Sequence, residues 1–220
     1  MKANMFLALD RCSDVLFYLT SIDSDVAILG LNSSVVAECF TDDVHRLDRD
    51  VLLIPRKITE ITEQSFERCL EVAKSVLAGC SPIDTASARR LAKTHRLSVV
   101  VVTPSSIRVI DESQINFMHQ SSTRSKYIEI HMQPFLKIFT APNSRASIEK
   151  NLYMLGNIIE RALKLDVGTV VSTASDDRKR LLSLTHLDII LFYMGFTKRE
   201  RRLIIEVYPT ELLLTWLSYR

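Results

Sequence analysis

The chain has 220 residues and a net charge of +2, with 47% hydrophobic and 25% charged residues, which is typical of a globular protein. Its five glycines, Gly30, Gly79, Gly156, Gly168 and Gly195, lie too far apart to form a G-x-G-x-x-G or G-x-x-x-x-G-K-[ST] loop. Such loops need closely spaced glycines because the backbone must approach phosphate without Cβ clashes. The composition therefore disfavours dinucleotide-binding and P-loop sites, and it excludes collagen-like and glycine-rich linker architectures.

Short apolar runs rich in Val and Ile alternate with amphipathic segments along the whole chain. The runs predict seven strands, at 5–9, 26–31, 51–54, 75–80, 98–102, 127–132 and 169–172. Amphipathic periodicity and capping residues predict helices at 13–22, after a Thr62 cap, and at 85–95, 144–165, 184–194, 198–207 and 210–218. Because strands that are apolar on both faces must be covered by helices, we predict a parallel α/β barrel of about seven strands forming a single domain over residues 1–220. A doubly wound open sheet is the alternative.

The cysteines and the terminal segments bear on the cellular compartment. The four cysteines, which lie in or beside apolar runs, are Cys12, Cys39, Cys69 and Cys80. They form no C-x-x-C pair, so we predict buried, reduced thiols. Asp10 and Arg11 come too early for a signal-peptide core, and the apolar stretch at 181–196 is shorter than a membrane span. These features predict a soluble, cytoplasmic protein without a membrane partner.

Polar residues at the predicted strand ends are the first place to look for chemistry, because ligands of α/β folds bind there. They are Asp10, Asn32, Arg56, Ser81, Thr103, Gln133 and Ser175. This mixture contains no acid–base pair, and we expect loop or cap roles for these residues. Glu129 and His131 share one face of a strand, where they form part of a pocket or a polar layer inside a barrel. No two histidines have the spacing of H-x-H or H-E-x-x-H, so the sequence predicts neither a metal site nor a catalytic residue.

Clusters of basic residues are the remaining candidate for a functional site, and most of them lie in the net basic part of the chain. Residues 1–60 hold 10 acidic and 6 basic residues, whereas residues 61–220 hold 16 and 22. We predict RNA-phosphate contacts from basic residues on helices and strand exits, although a solvated helix face is the alternative for each cluster. The candidates are Arg89, Arg90, Arg124, Lys126, Arg145, Lys150, Arg178, Lys179 and Arg180. A further cluster, 198–202, opens a late helix. No aromatic residue is interleaved with these clusters, which favours the backbone of a structured RNA over a single strand.

Four sequence blocks in the second half resemble the ribonuclease P protein component 3 family, the archaeal counterpart of the thirty-kilodalton eukaryotic subunit. They are LSVVVVTP at 97–104, YIEIHMQPFL at 127–136, the start of the long helix at 144–152, and TVVSTA at 169–174. A helix at 187–190, Gly195 and a final element at 207–213 follow in the same order. The resemblance covers roughly residues 75–215, and residues 1–74 agree with it only in their strand–helix alternation.

The resemblance implies a TIM-like barrel related to the PHP phosphoesterases and a protein subunit of ribonuclease P, which removes the 5′ leader from precursor tRNA. It implies that the RNA subunit carries out the hydrolysis with bound Mg²⁺, so that this chain needs no cofactor and carries no catalytic site. The implied partners are the catalytic RNA, precursor tRNA, a small ferredoxin-like subunit and other ribonuclease P proteins. We expect the protein partner on the acidic N-terminal third, near Asp42 and Asp43. The alternative is a small metal-dependent phosphoesterase that uses Glu129 and His131.

Overall fold

A computed structural model describes residues 2–41, 51–72, 76–94, 96–121, 126–140 and 145–219. In these segments seven parallel strands form one sheet in which every strand pairs with the next in sequence. The strands are β1 (Ala3–Leu7), β2 (Ile28–Asn32), β3 (Leu52–Ile61), β4 (Leu77–Pro82), β5 (Ser98–Val102), β6 (Lys126–His131) and β7 (Gly168–Ser172). The predicted barrel of seven parallel strands is confirmed, and the open doubly wound sheet is wrong. Asp42 and Asp43 lie outside the described residues.

Strand β3 is longer than predicted because its two halves pair with different neighbouring strands. Its first half pairs with β2, from Ile28 opposite Leu52 to Asn32 opposite Arg56. Its second half pairs with β4, beginning at Arg56 opposite Leu77. Such a stagger tilts the strands and lets a sheet curl into a barrel. Arg56 therefore lies within a strand and not at the strand end where the sequence placed it.

Hydrogen bonds between β1 and β7 close the barrel. The N–H of Ala174 donates to the Phe6 carbonyl at 2.9 Å, and the N–H of Ala8 donates to the Ser175 carbonyl at 2.9 Å. Buried Asn4 adds a side-chain bridge, because its Oδ1 accepts from the Thr173 N–H at 3.1 Å and its Nδ2 donates to Thr173 Oγ1 at 2.8 Å. The first and last strands are thus joined without a regular ladder of backbone hydrogen bonds.

Ten α-helices are described around the sheet. They are α1 (Cys12–Phe17), α2 (Ser33–Thr41), α3 (Phe66–Val72), α4 (Thr85–Lys93), α5 (Glu112–Gln120), α6 (Met132–Thr140), α7 (Arg145–Lys164), α8 (Leu184–Tyr193), α9 (Lys198–Arg202) and α10 (Tyr208–Ser218). A π-helical segment extends α1 over Tyr18–Ile22, and another joins α9 to α10 over Leu203–Val207. Helices α2, α5 and α6 were not predicted. Thr62 does not cap α3, because it lies in the turn before that helix and its N–H donates to Ser65 Oγ. No described helix is long and apolar enough to cross a membrane.

Helix α10 closes the N-terminal mouth of the barrel. Its buried residues and the inward residues at the starts of the strands form one apolar cluster, separate from the larger cluster between the sheet and the surrounding helices. The members contributed by α10 are Tyr208, Leu212, Leu213 and Trp216. The hydroxyl of Thr215 also lies 3.1 Å from that of Tyr127 in β6. Apolar packing thus fills one end of the interior, and the polar residues described below fill the other.

The cysteines form two disulfides, so the prediction of reduced thiols is wrong for this structure. Cys12 of α1 is bonded to Cys39 of α2, with their Cα atoms 5.1 Å apart. Cys69 of α3 is bonded to Cys80 of β4, with a Cα separation of 6.1 Å. The first bond joins two helices that flank β2, the second joins a helix to the strand that follows it, and none of the four residues is a free thiol.

We expect the Cys12–Cys39 disulfide to contribute more stability than the Cys69–Cys80 disulfide. The two bonds close chain segments with sequence separations of 27 and 11. Restriction of the unfolded chain by segments of these lengths corresponds to about 3.5 and about 2.8 kcal/mol. Urea unfolding of Cys39→Ser and Cys69→Ser, each compared with the wild type with and without reductant, measures the two contributions. Four reactive thiols in the unreduced, urea-unfolded wild type would contradict both assignments.

Candidate functional site

The C-terminal half of the barrel interior contains a buried ionic cluster, formed by Arg56 of β3, Glu129 and His131 of β6, and Ser172 of β7. The Arg56 guanidinium forms an ion pair with Glu129 Oε2, and both side chains are fully buried. Ser172 Oγ donates to Glu129 Oε1 at 2.7 Å. His131 Nε2 lies 3.4 Å from the same oxygen, and the His131 ring stacks on Phe6 with a centroid separation of 4.9 Å. The polar layer inside the barrel, one of the two readings of Glu129 and His131 that the sequence left open, is thus what the structure contains.

Two glycines, which have no side chain, lie next to Arg56 in the barrel interior. A Cβ added at Gly30 of β2 would overlap the Met5 carbonyl oxygen and lie 2.9 Å from Arg56 Cγ. A Cβ added at Gly79 of β4 would lie 2.6 Å from Ile58 Cδ1 and 3.4 Å from Arg56 Nη2. Gly30 on β2 therefore leaves space that the Arg56 side chain occupies, whereas the space at Gly79 on β4 is taken chiefly by Ile58 and Val101.

Electrostatics keeps Glu129 ionised despite its burial. Loss of hydration raises the pKa of this carboxyl, but the Arg56 guanidinium and the contacts with His131 and Ser172 lower it by more, to about 2. The carboxylate is therefore already neutralised within the barrel. Arg56 Nε and Nη1, His131 Nε2 and Ser81 Oγ are buried with no hydrogen-bond partner among the described residues.

Three of the other six strand-end residues have the loop roles that the sequence predicted. Gln133 Nε2 donates to the Arg180 carbonyl at 2.8 Å, and its Oε1 accepts from the Asp176 N–H at 3.1 Å. Ser175 Oγ accepts from a backbone N–H in the same loop. The N–H of Thr103 donates to a serine hydroxyl in the next turn. Within the described segments no three His, Cys, Asp or Glu residues come together as metal ligands.

Two of the predicted RNA-contacting residues lie on the outer surface of α4. Arg89 and Arg90 are both exposed. Arg90 is held in place, because its guanidinium lies 4.7 Å from the Phe66 ring centroid and donates to the Glu63 carbonyl at 3.1 Å. Its Nη2 also lies 3.8 Å from a carboxylate oxygen of Glu67. Arg90 is thus partly neutralised, whereas Arg89 makes no ion pair with a described residue.

Three more candidates form a 3₁₀ turn, Arg178–Arg180, directly after β7. Arg178 pairs with Asp14 Oδ1 at 3.3 Å and stacks over the Phe17 ring at 4.3 Å. Lys179 and Arg180 are exposed and form no ion pair with a described residue. Gln133 fixes the backbone of this turn through its hydrogen bond to the Arg180 carbonyl, so Lys179 and Arg180 extend from an ordered backbone.

The remaining candidates differ in their exposure. Lys150 of α7 is exposed, Arg124 lies outside the described residues, and Arg145 is placed only by its backbone at the start of α7. Lys126 is buried, and its Nζ donates to the Arg96 carbonyl at 2.7 Å and to Ser98 Oγ at 3.1 Å. Burial lowers the pKa of Lys126 to about 8. Lys126 is therefore a structural lysine, and its inclusion among the surface contacts is corrected.

The basic candidates do not form one patch. Helix α4 follows β4, whereas the Arg178–Arg180 turn follows β7, and three strand steps around the barrel separate these two strands. The structure thus divides the predicted contacts between two sides of the molecule. Proximity along the sequence gave no signal of this division. The Arg56–Glu129 pair was also missed, because the sequence placed Arg56 at a strand end and not inside the barrel.

Comparisons with known proteins identify a fold but no family. No family model and no curated protein matches the sequence. Among solved structures, the chain is similar to a chain in the cryo-EM structure of archaeal ribonuclease P with mature tRNA. The two are 13% identical with a TM-score of 0.66, and the match covers 99% of this chain and 89% of that chain. The two proteins therefore share their fold from end to end.

We predict that Glu129→Gln destabilises the protein by about 3–5 kcal/mol, because it leaves Arg56 buried without a counter-ion. Chemical unfolding measures this loss, and Glu71→Gln, at an exposed position of α3, is the matched control and should change stability by less than about 0.5 kcal/mol. In the wild type the stabilisation from Glu129 is present above its ordinary pKa of 4.5 and is lost as the pH falls towards about 2. The variant should lack this part of the acid dependence. Equal stability of the two variants would contradict the role of the ion pair.

Proposed function

We propose that this chain is a noncatalytic protein subunit of ribonuclease P, of the component 3 family, which supports the catalytic RNA in removing the 5′ leader from precursor tRNA. The observation that carries the proposal is the end-to-end fold likeness to a chain in a ribonuclease P structure that contains tRNA. The sequence blocks at 97–104, 127–136 and 169–174 point to the same assignment independently of the structure.

The closed interior supports a role outside the barrel. Arg56 and Glu129 fill the half of the barrel interior that lies towards the end at which α/β enzymes bind their substrates, and α10 covers the other end. Glu129 is engaged by Arg56, and His131 packs on Phe6, so the two residues of the phosphoesterase alternative are held by other groups. That alternative gains no support from the described residues.

The exposed cations provide the chemistry for RNA binding. Lys179, Arg180, Arg89 and Lys150 are exposed on different faces, where each can neutralise a phosphate. A protein of this kind lowers the repulsion between RNA segments and so reduces the Mg²⁺ concentration that the RNA needs to fold. The proposed partners are the catalytic RNA with its bound Mg²⁺, precursor tRNA, a small ferredoxin-like subunit and other ribonuclease P proteins.

The proposed location is the cytoplasm, where precursor tRNA is processed. The two disulfides are compatible with it in organisms such as hyperthermophilic archaea, whose intracellular proteins are rich in disulfides. A thiol assay on protein isolated from its source under alkylating conditions tests whether these bonds exist in the cell.

Reconstitution tests the function directly. We expect that adding the chain to an archaeal ribonuclease P RNA and a ferredoxin-like subunit increases 5′ cleavage of precursor tRNA at limiting Mg²⁺, with little effect at saturating Mg²⁺. Cleavage rates are measured over a Mg²⁺ titration, with heat-unfolded protein as the control. Cleavage that does not depend on this chain at limiting Mg²⁺ would refute the proposal.

A charge-neutralising double variant tests the turn after β7. We expect Lys179→Ala with Arg180→Ala to weaken RNA binding and to reduce the slope of log K against log salt by about 1.5, which corresponds to two lost phosphate contacts. The control is Lys2→Ala with Lys164→Ala, which causes the same change in net charge. These two lysines already pair with Asp25 and Glu160. Identical salt slopes for the two double variants would show that the turn does not bind RNA.

A further inference from the structure

Two exposed aromatic side chains lie side by side at the end of α8. Phe192 is 58% and Tyr193 is 82% exposed, and their ring centroids are 5.5 Å apart in an edge-to-face arrangement. The core contacts of this helix come from other residues, Leu187 and Leu191 among them, which are fully buried. The two rings are therefore not needed for packing, and exposed aromatic surface of this kind often marks a binding site.

The turn between α8 and α9 brings an arginine onto this aromatic pair. Gly195 has φ +94°, a conformation that reverses the chain and that other residues rarely adopt. The guanidinium of Arg201 then lies 5.3 Å from the Phe192 ring centroid. It is fixed there because its Nε donates to Asp188 Oδ1 at 2.7 Å and its Nη1 donates to the Phe196 carbonyl at 2.9 Å.

Two further cations, in the same short helix as Arg201, form no ion pair with a described residue. Lys198 and Arg199 in the first turn of α9 are exposed and form no ion pair with a described residue. Lys198 lies three residues before Arg201 and so shares its helix face. The acidic residue between them, Glu200, is occupied as the cap partner of Thr197, whose N–H and hydroxyl both donate to its carboxylate at 2.7 Å. The helix that carries Arg201 therefore also carries two exposed cations whose charge is not neutralised by a described residue.

We propose that Phe192, Tyr193, Lys198, Arg199 and Arg201, here termed the α8–α9 platform, bind an unpaired nucleotide of RNA. The inference rests on the proposed function and adds a site that lies outside the predicted phosphate contacts. The base stacks on the Tyr193 ring, and Lys198 and Arg199 contact the flanking phosphates, which is the combination that single-strand binding sites use. Arg201 orders Phe192, which in turn supports Tyr193.

The size and charge of the platform favour RNA over a protein partner. The other exposed apolar residue on this part of α8 is Ile189, at 47%. Three such side chains fall well short of the roughly 800 Å² per partner that a stable protein interface buries. Aromatic residues and arginine are common in protein interfaces as well, so the small apolar area together with the unpaired Lys198 is what favours RNA.

A tryptophan at position 193 reports on stacking directly. In Tyr193→Trp the new indole is exposed, whereas the native Trp216 is 3% exposed at the barrel mouth. We expect titration with a short, unstructured oligouridylate at low salt to quench the fluorescence of the variant but not that of the wild type. Unchanged fluorescence at oligonucleotide concentrations that saturate the protein, as judged by anisotropy, would overturn the proposal.

Affinity measurements on paired variants separate the ring from the charges. Tyr193→Ala should weaken oligouridylate binding between about 5-fold and 150-fold and leave the salt slope unchanged, whereas Tyr193→Phe should retain affinity. Lys198→Ala with Arg199→Ala should reduce the salt slope. Tyr153→Ala, at a tyrosine of α7 that is 71% exposed and outside the platform, is the matched control and should behave as the wild type.

The outcomes also distinguish this inference from the proposed function. If Tyr193→Ala binds RNA normally while the chain still increases cleavage in the reconstituted enzyme, the platform is wrong and the subunit role stands. If the wild type neither binds RNA nor increases cleavage, the subunit role fails as well. If Tyr193→Ala instead loses only the ferredoxin-like subunit, the surface docks protein and the RNA assignment is overturned.

Discussion

The positive charge of Arg56 inside the barrel constrains much of the structure around it. A guanidinium removed from water requires a counter-ion, because an unpaired charge at such a site costs several kcal/mol. Glu129 supplies that charge from β6, and Ser172 of β7 holds the carboxylate in place. The registers of three strands must therefore bring these three residues to the same level of the interior. A shift of one strand by one residue would turn its polar side chain to the opposite face and leave the others unsatisfied.

The burial of Arg56 also explains why a glycine occurs within strand β2. From the sequence, the wide spacing of the glycines shows only that no phosphate-binding loop is present. In the structure, Gly30 provides space beside Arg56, Gly79 provides space for Ile58 and Val101, and neither has a positive φ. This role could not be predicted from sequence because it depends on which residues of neighbouring strands lie opposite each other. A glycine within an apolar strand was nevertheless a visible sign of close packing.

Local patterns predicted the fold better than they predicted contacts between distant residues. All seven strands were recognisable because each contains a short apolar run, but the second half of β3 was missed because Pro55, Arg56 and Lys57 interrupt the pattern. Helices α2 and α6 were missed because each begins at the residue after a strand, so no loop separates the strand pattern from the helix pattern. The disulfides were missed for a different reason, since four cysteines allow three pairings and the spacing does not choose among them or show whether any forms.

Basic residues that cluster in the sequence separate in the structure into two kinds. Arg90, Arg178 and Arg201 each stack on an aromatic ring and contact an acidic residue, so much of their charge is already used within the protein. Their neighbours Arg89, Lys179 and Lys198 are exposed and unpaired among the described residues. A fixed arginine keeps its helix or turn rigid, and the adjacent free cation then meets a phosphate with less loss of conformational entropy. The barrel interior is filled by Arg56, Glu129 and α10, so the proposed function assigns RNA binding to these pairs of fixed and free cations. The number of basic residues in a sequence cluster overestimates the charge that is available for such binding.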